Sequence, residues 1–161
     1  MPSRVLLSLG SNIGNSRENI RVAMTAIERD ILTNTTRSSL WLTEPVGYTA
    51  QPDFINAAIV GFSHLTCVQI RDRCKEIESE LGRAQRERWR EREIDIDVIL
   101  VGDEIIDEDD LHVPHARMEE RRFVLAPCNE VAPDMISPRS KKSIAELLFR
   151  CTDNSSVMID Q

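Results

Sequence analysis

Two aspartates sit one residue apart in the apolar run Ile94-Asp95-Ile96-Asp97-Val98-Ile99-Leu100. Alternation of this kind reads as a β-strand, in which residues i and i+2 share a face. Ile94, Ile96 and Val98 then face a core, and Asp95 and Asp97 share the opposite face. Two like charges there repel, and a divalent cation between them removes the repulsion. Mg²⁺ suits such a pair because it takes one or two carboxylates and completes its shell with water and phosphate oxygens. Immediately before the strand, residues 86–92 (Arg-Glu-Arg-Trp-Arg-Glu-Arg) carry four arginines against two glutamates, a local charge of +2. Arginines beside a carboxylate pair point to a polyphosphate, which needs both kinds of partner. The bland alternative is an exposed acidic strand face beside a solvated loop. In that reading Arg83, Arg86, Arg88 and Arg92 pair with Glu87, Glu91 and Glu93.

Other residues offer weaker chemistry. His115, in Val113-Pro114-His115, can donate to a phosphate as a neutral imidazole, or be an inert loop residue. Phe54 and Phe123 belong to a set of only seven aromatic side chains. Core packing is their default role, but aromatics also sandwich flat heterocycles. Asn56, one pleat position from Phe54, has the donor and acceptor needed to read a ring edge. Gly10-Ser11-Asn12-Ile13-Gly14 lacks the Gly-Lys-Ser/Thr of a P-loop and the third glycine of a dinucleotide fingerprint, so it reads as a structural turn.

The elements that must position these groups can be read from periodicity. Residues 4–9 alternate as a strand. A helix capped by Ser16 carries Ile20, Met24, Ile27 and Ile31 on one stripe. Residues 36–43 and 54–62 read as two further strands. A second helix, capped by Thr66 and stopped by Gly82, buries Ile70, Cys74, Ile77 and Leu81. Residues 83–92 read as a mobile loop and 94–101 as the fourth strand, with Ile105-Ile106 returning as a hairpin. Short helical turns fit 117–125, and Pro127 and Pro133 break up the stretch beyond them. A last helix fits 143–150, and 151–161 reads as a tail. The order is β-α-β-β-α-β with additions. It predicts a ferredoxin-like α+β sandwich, an antiparallel sheet with helices on one face, in a single domain spanning 1–161.

The chain of 161 residues has 41% hydrophobic and 29% charged residues, ordinary for a soluble globular domain. Its net charge of −7 argues against a general nucleic-acid or anionic-membrane binder. No apolar stretch approaches the ~20 residues of a membrane span. Four cysteines without a C-x-x-C pair fit buried free thiols in a cytoplasmic protein. A monomer acting on small molecules is the expectation. RNA-recognition domains share the split βαβ order, but they need aromatics on central strands, and 94–101 has none. A two-metal nuclease would use the acidic pair on an awkwardly repelled substrate.

Taken in order, several blocks resemble the 6-hydroxymethyl-7,8-dihydropterin pyrophosphokinase family. They are Leu9-Gly10-Ser11-Asn12-Ile13-Gly14, Thr43-Glu44-Pro45-Val46-Gly47, Gln51-Pro52-Asp53-Phe54-Ile55-Asn56-Ala57 and residues 77–83. The most specific are Arg92-Glu93-Ile94-Asp95-Ile96-Asp97, Val113-Pro114-His115 and residues 120–127, followed by Glu130-Val131-Ala132-Pro133. The resemblance implies transfer of an intact diphosphate from ATP to the hydroxymethyl group of a reduced pterin, releasing AMP. It implies two Mg²⁺ ions held by Asp95 and Asp97, with Arg83 and Arg92 among the catalytic groups. Glu78, Arg83, Arg92, His115 and Arg121 would serve ATP. Phe54 and Phe123 would stack on the pterin, while Asn56, Thr43, Glu44 and Val46 would read its edge. The chain departs from the family's usual pattern at Arg90-Glu91, where Gly-Pro is common, and at Glu93, where Thr is common. A non-catalytic pterin- or nucleotide-binding member of the same fold is the alternative.

Overall fold

The computed structural model describes residues 1–44, 50–81 and 93–160. The expected Gly82 helix stop and the expected loop at 83–92 lie outside these residues.

Strand β1 (Ser3–Ser11) is followed by helix α1 (Ser16–Asp30). The side chain of Asn15, not of Ser16, caps α1 by accepting the Glu18 N–H at 3.2 Å. The predicted second strand is two strands, β2 (Thr33–Arg37) and β3 (Trp41–Thr43). Ser38 causes the break. Its N–H donates to the Ala58 carbonyl, and its hydroxyl accepts the Ala58 N–H, both at 2.8 Å, so one side chain replaces a rung of the ladder. Strand β4 (Phe54–Ser63) leads to helix α2 (Cys67–Glu80), which opens on a full Thr66–Gln69 capping box. Strand β5 (Asp95–Val101) closes the sheet.

The path through the sheet is β5-β1-β4-β3, with β2 also on β4, and every pairing is antiparallel. With β2 and β3 counted as one broken strand, this is the ferredoxin-like arrangement the element order predicts. Helices α1 and α2 cover one face. Ile20, Ile27, Ile70 and Ile77 pack there with Leu7, Leu9, Ile59 and Ile96. The other face is covered too, but in part. Helix α3 (Arg122–Val131) and helix α4 (Ile144–Arg150) bury Val124, Leu125, Cys128 and Leu147 against Leu6, Ala58, Val60 and Leu100. Helices on one face only is therefore corrected to helices on both. At about 25 cal/mol per Å² of apolar surface, each core is a principal stabilising term.

Three further expectations change. Ile106 does not return against β5. Strand β6 (Ile106–Glu108) pairs with β7 (Leu111–Val113) as a separate two-stranded ribbon. Pro127 lies inside α3 rather than breaking it. It is the sixth residue of the helix, and its missing N–H costs the one bond to the Phe123 carbonyl. The supposed tail forms strand β8 (Val157–Ile159), paired with β3. Cys67, Cys74 and Cys128 are buried free thiols, and burial pushes Cys74 up to about 12. Among the described residues no helix is long and apolar enough to cross a membrane.

Gly61 is where β2 presses on the sheet. The register of β2 slips by one residue between Thr33 and Thr36, and Asn34 takes a positive φ of 50° in the bulge. A Cβ at Gly61 would lie 2.8 Å from the Thr33 carbonyl oxygen and 2.9 Å from Thr35 Cγ2. Gly61→Ala is expected to destabilise the protein by about 1–3 kcal/mol, read as a lowered Tm by calorimetry. An unchanged Tm would show that the bulge relaxes freely.

Candidate active site

The pleat of three strands builds the site. Gly10 of β1 lies opposite Asn56 of β4 on one side and Asp95 of β5 on the other. Two residues earlier, Ser8 lies opposite Ala58 and Asp97. Directly opposed residues share a face. Asp95, Asp97, Asn56 and Phe54 therefore stand on the α3 side of the sheet, in the part α3 leaves uncovered. Thr43 opposes Phe54, and Trp41 opposes Asn56, so both join the same face. With strands about 4.8 Å apart, Asp95 and Asn56 stand about 10 Å apart across β1.

Alternation on β5 holds as expected up to Val98. Ile94, Ile96 and Val98 are buried with α1 and α2, while Asp95 and Asp97 are partly exposed on the other face. A bulge then inserts Ile99, since Leu6 pairs with Leu100 but Leu7 pairs with Val98. Ile99 and Leu100 both enter the α3 core. The bulge thus ends the carboxylate face and begins an apolar one on the same strand.

Glu78 has a definite role in this geometry. It is buried on α2, and its carboxylate accepts the Ile96 N–H at 2.8 Å. Ile96 lies between the two aspartates, so Glu78 fixes the backbone that carries them. The end of β1 and the first turn of α1 hold Glu93, two residues before β5. Ser11 Oγ donates to the Glu93 carbonyl, and Asn19 Nδ2 donates to it at 3.2 Å.

His115 reaches the site from the segment after β7, where its N–H donates to the Ile99 carbonyl at 3.0 Å. Its Nδ1 accepts the Arg117 N–H at 3.3 Å. That contact places the ring proton of the neutral form on Nε2. Burial pushes its pKa below the ordinary value. Asp97 opposes that shift, while Arg121, His112 and Arg117 add to it. Arg121 is itself lowered by burial and by Arg117, with Asp97 and Glu120 opposing. Its guanidinium carbon stands 5.8 Å from the Phe123 ring centroid, within cation–π range. Asp97, His115, Arg121 and Phe123 are therefore one neighbourhood.

On the other wall, Asn56 Nδ2 donates to Thr43 Oγ1, leaving the amide oxygen directed over Gly10. A Cβ at Gly10 would lie 2.7 Å from that oxygen and 3.8 Å from Phe54 Cδ1. Gly10, read from sequence as part of a turn, is inside β1 and forms the bare floor between Asn56 and Asp95. The contacts of Trp41 and Glu130 were also missed. Glu130 of α3 accepts the Trp41 indole N–H at 2.9 Å and the Ser39 N–H at 2.9 Å, docking α3 on β3. A lone glutamate in a helix gives no sequence signal for this.

A cleft of about 310 Å³ joins Glu78, Asp95, Asp97 and His115 to Arg71 and Lys75. A larger one, about 530 Å³, lies by the β1–α1 turn against Leu42 and Ile55, and none of the expected site residues lines it. Among the described residues no group of three or more His, Cys, Asp or Glu could cage a metal. A two-carboxylate site fits Mg²⁺, which leaves its other positions to water and phosphate. Arg83, Arg92 and Val46 lie outside the described residues.

Comparison with known proteins shows the family. The family profile for 7,8-dihydro-6-hydroxymethylpterin-pyrophosphokinase matches residues 6–133. A 2-amino-4-hydroxy-6-hydroxymethyldihydropteridine pyrophosphokinase of Haemophilus influenzae is 36% identical over 157 residues, covering 96% of each chain. The Pseudomonas aeruginosa protein of the same name is 37% identical over 152 residues, covering 94% of this chain and 93% of its own. A crystal structure of Plasmodium falciparum HPPK-DHPS with pterin and p-hydrobenzoate superposes with a TM-score of 0.70 at 14% identity. The match covers 93% of this chain and 44% of that one, and it bears on fold alone. On the profile and these near full-length relatives, the chain belongs to the 7,8-dihydro-6-hydroxymethylpterin-pyrophosphokinase family.

Proposed function

We infer that the uncovered part of the sheet holds ATP and a reduced pterin side by side. The protein is an ATP-dependent diphosphotransferase of folate biosynthesis. It moves diphosphate from ATP to the hydroxymethyl group of 6-hydroxymethyl-7,8-dihydropterin and releases AMP. The observation that carries the reading is the row Asp95–Gly10–Asn56 across three strands. It sets carboxylates and a ring-edge reader on either side of a floor with no side chain.

In the pterin half, Phe123 and Phe54 offer faces for a flat ring, and Asn56 offers hydrogen bonds to its edge. Thr43 orients the Asn56 amide, and Glu44 continues the same wall. Val46 joins them on the strength of the sequence match. In the nucleotide half, Glu78 fixes the aspartate-bearing backbone. His115 offers its Nε2–H and Arg121 its guanidinium to phosphate oxygens. Arg83 and Arg92, like Val46, enter from the sequence match. Asp95 and Asp97 would hold Mg²⁺, two ions in this reading, which supplies charge neutralisation on the polyphosphate. The acceptor hydroxyl oxygen bonds to the β-phosphorus and releases its proton to solvent, the bridge from that phosphorus to the α-phosphate breaks, and AMP leaves with the electron pair. Positioning and electrostatics dominate such transfers, so no strong protein nucleophile is needed. A neutral His115 suits this role because it donates without adding a titrating charge. In this reading the protein acts on small solutes as a monomer in the cytoplasm.

Asp97→Ala is expected to lower pterin-dependent AMP release by about a thousandfold or more, about 4 kcal/mol of transition-state stabilisation, with the fold kept by circular dichroism. Normal turnover in that variant would sink the metal assignment. Phe123→Ala is expected to weaken pterin binding by about ten- to a hundredfold, the scale of one lost stacking contact, with ATP affinity within about twofold. Equal losses for both ligands would count against stacking. Gly10→Ala should likewise cost pterin affinity at an unchanged Kd for ATP, measured by calorimetric titration. Wild-type pterin affinity there would mean that Asn56 does not hold its position against the sheet floor.

A further inference from the structure

The C-terminal segment touches both walls of the pterin half. Helix α3 begins beside Phe123, and its N-cap residue, Arg121, makes no side-chain cap hydrogen bond. Helix starts expose amides that need acceptors. Asp153 supplies one from outside the helix, its Oδ2 accepting the Arg122 N–H at 2.9 Å. Its Oδ1 accepts the Ser155 N–H at 2.9 Å, which turns the chain toward β3. The Ser156 N–H then donates to Glu44 Oε1 at 2.9 Å, and the Glu44 N–H donates back to the Ser156 carbonyl at 3.4 Å. Val157 pairs with Thr43, so β8 continues along β3. Arg17 holds the far end through two hydrogen bonds to Asp160, at 2.6 and 2.8 Å. Residues 153–157 therefore join the first turn of α3 to the strand end that carries Thr43 and Glu44. The family profile ends at residue 133, before this strap.

We propose that Asp153 is a positioning residue for the pterin substrate, acting through Phe123 by capping α3 from the C-terminal strap. The inference rests on the assignment of Phe123 to the pterin half of the site. Phe123 is the second residue of α3, so the rotation and seating of its first turn set where the ring lies. A carboxylate is well suited to the task because the helix start carries partial positive charge. Burial opposes ionisation of Asp153, but the Ser155 and Arg122 N–H donors outweigh it and hold its pKa below the usual value, so the cap is charged at neutral pH. The strap fixes the other wall at the same time, since its next peptide is bonded to Glu44.

The test measures Kd for 6-hydroxymethyl-7,8-dihydropterin, and separately for a non-hydrolysable Mg-ATP analogue, on the full-length chain. Asp153→Ala is expected to weaken pterin binding about tenfold, about 1.4 kcal/mol, with the analogue within about twofold. Asp153→Asn keeps an acceptor oxygen and should recover pterin binding to within about threefold. In a Phe123→Ala background, Asp153→Ala should add less than about twofold, because residues that act as one unit are not additive. A folded Asp153→Ala with wild-type pterin affinity overturns the proposal. So does a full tenfold loss in the Phe123→Ala background, or equal losses for pterin and analogue. If Phe123→Ala itself binds pterin like the wild type, the stacking reading falls and takes this one with it. If Phe123→Ala loses binding and Asp153→Ala does not, only the strap falls.

Discussion

The register of β1 between β4 and β5 is the constraint on which the site depends. Gly10 is flanked by Asn56 and Asp95, and Ser8 by Ala58 and Asp97. A slip of one residue on either side would send the carboxylates or the amide into the α1–α2 core, because strand side chains alternate faces. That core enforces the register. Leu7, Leu9, Ile59, Ile96 and Val98 are buried together there, and a slip would replace them with Ser8, Gly10 and aspartates. The chemistry on one face is thus held in place by packing on the other.

Partial coverage of the second face has its origin in the same strands. Beyond the Ile99 bulge, β5 turns apolar and α3 settles on Leu6, Val60 and Leu100. Short of the bulge, the part of the face next to β5 carries Asp95, Asp97 and Gly10, which offer little apolar surface to a helix. Helix α3 covers the face only where hydrophobic burial extends. Glu130 ties the last turns of α3 to Ser39 and Trp41, and Asp153 ties its first turn to the strap before β8. The helix that carries Phe123 is thereby fixed at both ends.

The charges are arranged with similar economy. A chain of net charge −7 carries a basic run at 86–92 just before its acidic pair. Within the described site, Glu78 is buried with its carboxylate on a backbone N–H, which fixes the strand edge. His115 is lowered by burial and Arg121 is partly desolvated, both beside Asp97. A polyanion entering this neighbourhood meets donors whose hydration is already reduced, so its charge is less screened than at an open surface.

Much of the site could be read directly in the sequence. The alternation around Asp95 and Asp97 gave their shared face, and the order of elements gave the sheet. Both signals are local: a period of two, a period of 3.6 and capping residues such as Thr66. The resemblance of ordered blocks then named Phe54, Asn56, His115, Arg121 and Phe123. What local signals could not carry was pairing over distance. Ser38 interrupts a strand only because Ala58 lies beside it, and Gly10 is a floor only because Asn56 and Asp95 flank it. Residues 151–161 read as a tail because three short β8 residues show no periodicity alone. Their strand exists through the free edge of β3, and Asp153 matters through an amide 31 residues away. The sequence by itself determined which residues could do the chemistry. The tertiary structure decided which of them share a surface and what holds them there, because cross-strand register and helix docking are set by burial summed over the whole sheet.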